Sequence, residues 1–565
     1  MPATPTAIWL RRASVVVVVL VAAERLDALF RAPPTDFDDA YMFLRYAHNW
    51  LAGFGLRWNR DEAPVYGATS LPHVFVVAFV RWVRPHLTDA AVLQASSGAA
   101  AILLVVVLVL TCARFARYPW LHRQRWIWAA LLLPLLAYGE LFRFHAQTGM
   151  DTMLAALANA LLVFAALAFA ESPGPARTLA TAAVAYGAYL VRPDSAIYAL
   201  FVPGLCLALG GSPARRLRHL ILFAAMLAAL VALDLLLKRH LLGTAWPLGA
   251  YVKRPGYYAG FAGEYTWNPF WFLRVFLAGL WPFLAALILF TGRRSARLVV
   301  ALLAPALLGV TMFFGVNQIM GHLGRFYFPA LPFVVVAGAL AFDRALVGAA
   351  APSSPPPVRV RAGAAAGAIP IFARLAGVMV LLVGGAFLLT AAGARYEAQG
   401  RRQVLAPLDG YTVAAAQPLA DLDSWRSSQE MARLARAAPA GTRLAMSEHG
   451  LVGAVAPDAV IIDMLGLHDR DFARHGFHVA ELWRRQPDVI WMPHPDHTAM
   501  LRALLDSDRL WADYDFYPDA FSYGVALRRD GPRAAALALL FRARWEASYP
   551  GRPLDDYRAR RATPR

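Results

Sequence analysis

Residues 36–75 read DFDDAYMFLRYAHNWLAGFGLRWNRDEAPVYGATSLPHVF and follow the first long apolar run of the chain. Two adjacent carboxylates, Asp38 and Asp39, open the informative part of this stretch. Behind them Tyr41, Leu44, Arg45, Ala47 and His48 fall at helical spacing, so the pair stands at the mouth of a helix. Crowded carboxylates beside an apolar boundary titrate apart. That suits the pair to general-base work or to holding a divalent cation. The same residues also meet a simpler need, because an Asp ahead of a helix accepts its free N–H groups and complements its dipole. On these residues alone both uses stay open.

The chain around this stretch has the composition of a membrane protein. Its 565 residues are 59% hydrophobic and 16% charged, whereas a soluble domain carries about 25% charged residues. Runs near the roughly 20 residues that cross a bilayer lie at 7–30, 90–112, 126–144, 151–170, 178–191, 194–210, 219–238, 270–291, 296–316, 326–343 and 371–392. The expectation is a polytopic α-helical membrane protein of about eleven spans. The run 70–85 is shorter and contains Pro72 and His73; it reads as a helix lying at the interface, with a twelfth span as the alternative.

Charge decides between those topologies. The chain carries 55 Lys+Arg against 37 Asp+Glu, a net +18. The excess sits in short clusters between apolar runs: Arg11-Arg12, Arg114 to Arg125, Arg215 to Arg218, Arg293 to Arg297, and Arg344. If 70–85 does not cross, nearly all of these fall on one side, which is then cytoplasmic. This arrangement speaks for membrane lipids as partners and against nucleic acid. It also sends Asp38, Asp39, His145, Asp151, Arg192, Asp194, Lys253, His322 and Arg325 to the outer ends of helices. Ionisable groups at a membrane edge are costly and usually functional.

Three acidic helix starts recur on that outer face: Asp38-Asp39, Thr148-Gly149-Met150-Asp151 and Arg192-Pro193-Asp194. Cations gather there as well. LLKRHLLGTAWPLGAYVKRPGYYAGF (236–261) supplies Tyr251 and Lys253, and GHLGRFYFPALP (321–332) supplies His322 and Arg325. Such groups hold phosphates near a bilayer surface, although Lys, Arg, Trp and Tyr also anchor helices there.

Residues 349–370 form a Pro/Ala/Gly-rich linker, and after 392 the composition turns polar. Strand-like runs at Leu444–Ser447, Val460–Asp463, Val489–Met492 and Tyr523–Leu527, with helical stretches at 424–437 and 497–506, predict a soluble α/β domain over 393–565. The expected membrane domain is 1–392, with an outer loop at 31–89. His468, Asp469, Asp471, His475, His478, His494, Asp496 and His497 match no zinc spacing. They read as a solvated helix face, and no metal ligand is assigned. Cys112 and Cys206 both sit in apolar runs, which excludes a disulfide framework. The chain has no GxGxxG, GxxxxGK[ST] or GxSxG motif, so nucleotide hydrolysis and serine-hydrolase chemistry lack support.

The sequence resembles the C-type glycosyltransferase superfamily, in particular the bacterial branch containing the mycobacterial terminal arabinofuranosyltransferase. The resemblance rests on Asp38–Tyr41, Arg45–Asn49, Gly53–Asn59 and Tyr66–Ser70. Gly149-Met150-Asp151, Arg192-Pro193-Asp194, Pro247…Tyr251-x-Lys253, Arg325…Pro329…Pro332 and Asp463-Met464-Leu465-Gly466-Leu467 follow in the family's order. Asp151 stands where the family usually has Glu, and Leu248 where it has Asn. The resemblance implies an inverting transferase in the bacterial inner membrane, with its active site and C-terminal domain facing the periplasm. It would move a sugar, a pentofuranose such as arabinofuranose for this branch, from a polyprenyl-phosphate donor to a glycan or glycoprotein acceptor of the cell envelope. Asp38 would be the base with Asp39 as partner, or the roles would be exchanged. Arg45, Lys253 and Arg325 would face the donor phosphate, and Asp151, Arg192 and Asp194 would shape the sugar pocket, with Tyr251 and His322 also binding substrate. No cofactor is assigned, and the paired carboxylates could bind a divalent cation or work without one. The rival expectation is a transporter or flippase of a lipid-linked substrate. Against it, transporters set their charges near the bilayer midplane.

Overall fold

The computed structural model describes residues 5–209, 213–254, 268–292, 295–313, 316, 321–350, 410–419 and 422–562. The span expected at 371–392 lies outside the described residues, as does nearly all of the linker before it. The chain divides into two compact units.

The first unit comprises Met1–Pro34, Gln94–Ala232 and Trp267–Tyr396. It is helical throughout its described residues. Thr152–Glu171 shows no polar stripe and is buried on most of its surface. A helix that is apolar all round belongs in the middle of a bundle. Leu331–Ala350 joins it in the core, burying Phe333, Val335, Val336 and Leu340. Asn159, buried on the central helix, donates to the carbonyl of Pro329 at 2.9 Å.

Among the described residues, four helical segments are long and apolar enough to cross a membrane: Asp89–Phe115, Thr152–Glu171, Arg216–Leu242 and His322–Ala349. Two bent pairs raise the number to six if each is one span: Arg125–Ala137 with Glu140–Gln147, turned by 79°, and Phe270–Gly279 with Trp281–Phe290, turned by 73°. By this measure the described residues show fewer than the eleven spans expected; one expected span lies outside them, and elsewhere local features shorten or bend the helices. Pro193 forces Arg192 into an extended conformation, φ −147° and ψ 121°, as the residue before proline usually is. The run 178–210 therefore breaks into Pro175–Val191, a 3₁₀ stretch Pro193–Leu200 and Phe201–Leu209. Ala296–Met312 is 17 residues long and has Pro305 inside it. Pro5–Phe30 is a 26-residue helix that carries Arg11, Arg12, Glu24 and Arg25. The run at 70–85 forms the 13-residue helix Leu71–Val83.

The second unit comprises Thr35–Leu93, Leu233–Thr266 and Glu397–Arg565. These units cut across the boundary expected at 392–393, because 35–93 and 233–266 cluster with the C-terminal residues. The reason lies in hydrogen bonding: polar side chains of 38–60 are satisfied by backbone at 450–461.

The strands described are β1 (Tyr411–Thr412), β2 (Arg443–Met446), β3 (Val460–Asp463), β4 (Val489–Trp491), β5 (Tyr514–Tyr517), β6 (Val525–Arg528) and β7 (Arg560–Arg561). Five of them form a mixed sheet in the order β3-β2-β4-β6-β5. β2 runs parallel to both β3 and β4, while β6 is antiparallel to β4 and β5. β2, β3 and β4 are short, apolar and almost wholly buried, as strands covered on both faces are. Helix Ser424–Ala437 starts where Asp423 accepts the N–H of Arg426 at 2.8 Å. The helix expected at 497–506 is Thr498–Leu505.

Candidate functional site

The helix that begins at Asp38 runs to Leu51 and buries Tyr41, Phe43, Leu44, Tyr46 and Ala47 along one side. Its N-cap position is Phe37, which has no capping group. Asp38 instead caps a helix from another part of the sequence. Its Oδ2 accepts the N–H of Gly450 and its Oδ1 the N–H of Leu451, each at 2.8 Å. Those two residues open the helix Gly450–Val455. The approach demands glycine, since a Cβ at Gly450 would lie 2.0 Å from the carbonyl oxygen of Asp38. Burial pushes the Asp38 carboxyl above its ordinary value, against the pull of the Leu451 N–H, His449 and the Gly450 N–H. Asp39 beside it is half-buried.

A third carboxyl, Glu448, joins this neighbourhood and was not anticipated from sequence. Burial, with Asp38, Asp39 and Asp496 nearby, pushes it up to about 8. Its only linear sign is its place between the end of a strand and the start of a helix.

Arg45 does not fit the phosphate role expected of it. The guanidinium is 1% exposed, and its donors are all engaged. Nε donates to the Trp58 carbonyl at 2.7 Å, and Nη1 to the carbonyls of Gly453 and of Ala456, the latter at 3.0 Å. Nη2 donates to Asn59 Oδ1 at 3.0 Å and to the Ala459 carbonyl at 2.9 Å. Five N–H groups meet five acceptors, which is the full donor inventory of arginine. Asn59 completes the seam by pairing with the backbone of Ile461 in both directions. Arg45 thus stitches the segments 57–59 and 453–461 to its helix.

In the helical unit the expected residues do come together. Arg192 forks onto Asp194, with Nε 3.0 Å from Oδ1 and Nη2 2.9 Å from Oδ2. Its Nη1 lies 3.8 Å from Oδ1 of Asp151, which is 1% exposed. The guanidiniums of Arg192 and Arg325 lie 6.0 Å and 5.8 Å from the Phe326 ring centre. His145 Nε2 bonds the Leu323 carbonyl at 3.0 Å, and its ring is 4.3 Å from that of Phe328. Leu323 holds a left-handed backbone, φ 47°. A branched side chain adopts that conformation at a cost of about 1–3 kcal/mol, and such strain gathers at functional sites. His322 is exposed at the start of this turn.

Tyr251 and Lys253 belong to the other unit. They lie at the end of the short helix Leu248–Val252, with Lys253 at its C-cap, and both are half-buried. The N–H of Leu248 donates to the Tyr66 carbonyl at 2.8 Å.

The His/Asp-rich stretch is only partly a solvated face. His475 and His478 do pair with Asp471 on the surface. His468 does not: it is 2% exposed and stacks on Trp58 with ring centres 3.9 Å apart.

Comparison with known proteins gives three results. Residues 419–546 match the family model "Domain of unknown function (DUF8728)". No curated protein matches the chain. Among solved structures, ArnT from Cupriavidus metallidurans in the apo state is similar with a TM-score of 0.52 at 14% identity, covering 93% of this chain and 99% of that one. ArnT from the same organism bound to undecaprenyl phosphate gives a TM-score of 0.48 at 13% identity, covering 90% and 97%. The chain thus has an ArnT-like fold.

Proposed function

We propose that this chain is an inverting glycosyltransferase of a bacterial inner membrane, working on the periplasmic face. It takes a sugar from a polyprenyl-phosphate carrier and passes it to a hydroxyl of a cell-envelope glycan or protein. The observation that carries the reading is the Asp38-Asp39 pair at the head of a buried helix, within a chain of ArnT-like fold. The residues 393–565 would lie outside the membrane and meet the acceptor. The branch resemblance favours a pentofuranose such as arabinofuranose as the sugar.

The chemistry asks for few parts. A carboxylate takes the proton of the acceptor hydroxyl as that oxygen attacks the anomeric carbon. The bond to the lipid phosphate breaks on the opposite face, as inversion requires. The departing phosphate needs cations rather than an acid. Asp38 spends both oxygens on backbone N–H groups, which favours Asp39 as the base and Asp38 as the strut that fixes it. Arg325 and Lys253 are the cations proposed for the phosphate. Arg192 already faces two carboxylates, so with Asp151 and Asp194 it shapes the sugar pocket. Tyr251 and His322 are assigned to substrate contacts.

The test is donor turnover. Purified full-length protein is incubated with polyprenyl-phosphate pentoses and hexoses and crude envelope acceptor, and release of free polyprenyl phosphate is followed by mass spectrometry. Release from one donor, lost in Asp39→Asn, supports the reading and names the sugar. No release from any donor by folded protein overturns it.

A further inference from the structure

The stretch that matches a domain of unknown function, residues 419–546, holds a cluster that the transferase reading does not use. His449, Asp463 and His468 each offer a ligand atom, and those atoms lie within 4.8 Å of one another. All three side chains are buried, at 0%, 0% and 2% exposure. His449 Nε2 sits 3.5 Å from Asp463 Oδ2, too far for a hydrogen bond. Nε2 of His449 and Nε2 of His468 are both buried without a hydrogen-bond partner. Buried polar atoms are almost always satisfied, and each one left unmet costs about 1–3 kcal/mol. Two such atoms in one cluster with a carboxylate call for a common partner.

The surroundings fit a metal ion. Ligating histidines usually engage their second ring nitrogen elsewhere, which fixes the tautomer and the ring. His449 Nδ1 is 2.7 Å from the Ser447 carbonyl, so it carries the proton and leaves a lone pair on Nε2. His468 Nδ1 is 3.1 Å from the Tyr46 hydroxyl, which leaves its Nε2 for a ligand as well. Asp463 is held by the N–H groups of Leu465 and Gly466 on Oδ1, at 2.8 Å and 3.2 Å, and of His468 on Oδ2 at 2.6 Å. Trp58 stacks on one imidazole and meets the other edge-on. Two imidazoles and one carboxylate in a dry pocket form a donor set for zinc or a similar first-row divalent ion.

We infer that His449, Asp463 and His468 form a buried zinc site. The ion would tie the end of β3 to the loop after it and to the residue just before Gly450. Because Gly450 and Leu451 hold Asp38, it would also steady the seat of that carboxylate. The inference stands whether or not the chain transfers sugars.

The experiment is metal analysis of full-length protein purified without chelator. Elemental analysis should find one zinc per chain. Stripping with chelator should lower the unfolding temperature, and adding Zn²⁺ should restore it. Refilling with Co²⁺ should give the visible ligand-field absorption of a nitrogen- and oxygen-ligated ion. His449→Gln and His468→Gln each remove a direct ligand and should lower zinc affinity by more than the roughly 10–100-fold that loss of an outer-shell partner costs. If either variant fails to fold, the cobalt spectrum of the wild-type protein decides. The inference is overturned if neither Zn²⁺ nor Co²⁺ binds or shifts unfolding. It is equally overturned if zinc binding persists unchanged in both variants, which would place the ion elsewhere, for example on Asp471, His478 and Glu481.

Discussion

Asp38 Oδ1 accepts the N–H of Leu451 at 2.8 Å, across 413 positions of sequence. With the matching bond to Gly450, the carboxylate caps a helix to which it does not belong. An acidic residue at a helix start is read from sequence as a local cap. Here it is a cap delivered from a distance, and it orders the segment in which the proposed base sits.

This separates the two aspartates experimentally. Asp38→Ala removes two charge-assisted bonds and leaves two buried N–H groups unmet, which costs about 2–4 kcal/mol. It should lower the unfolding temperature of the purified protein. Asp39→Asn should leave that temperature unchanged and cut polyprenyl-phosphate release by about 100-fold or more, the usual contribution of a general base. If Asp39→Asn keeps full turnover while a folded Asp38→Asn loses it, the base is Asp38.

Arg45 gives a second separation. Lysine has three donors on one nitrogen, whereas the native group satisfies five acceptors in a plane. Arg45→Lys should therefore cost about 2–5 kcal/mol, most of it from carbonyls left without a donor. The KM for lipid donor should stay near the wild-type value in whatever fraction folds. A raised KM with unchanged stability would return Arg45 to the phosphate site.

How much of this was legible follows from what a sequence pattern can carry. Apolar runs located Thr152–Glu171 and the helix within Arg216–Leu242 closely, because burial all round leaves a composition signal. Hydropathy holds no record of direction, so the 79° turn between Ala137 and Glu140 was invisible. The Arg192-Pro193 break was readable, because proline acts on the residue beside it. Strands β2, β3, β4 and β6 were found within two residues; β5, reading Tyr-Asp-Phe-Tyr, was missed. Asp38, Asp39, Asp151, Arg192, Asp194 and Arg325 stood out as charges at apolar edges. The assignment of Arg45 to phosphate failed because its acceptors are backbone carbonyls, which every residue has. His449 was passed over because its partners lie 14 and 19 positions on, at no recognised ligand spacing.

The Arg192 cluster predicts an order of severity. Arg192→Met strands two carboxylates, Asp194 and the deeply buried Asp151, and should cost about 3–5 kcal/mol. Asp194→Asn leaves the guanidinium with Asp151 close by, so it should cost less. Adding Asp151→Asn to Arg192→Met should recover part of the loss, since one unpaired charge disappears. Chemical unfolding in detergent would measure all three. Independent, additive losses would mean that Asp151 does not feel Arg192.

His497 makes the stability of the second unit depend on pH. Burial, and then His494, hold its imidazole at about 3, against an ordinary 6.5. The folded state keeps the ring neutral, while the unfolded chain takes up a proton once the pH falls below about 6.5. Between those two values the unfolded state binds more protons, so stability rises with pH and is lost as pH falls. The slope approaches 1.4 kcal/mol per pH unit at most. Unfolding free energy measured from pH 7.5 to pH 4 should therefore decline for the wild type, and more shallowly for His497→Gln, with the two curves parallel above pH 7. Curves that stay parallel down to pH 4 would show that the ring takes its proton in the folded protein as readily as in the unfolded chain.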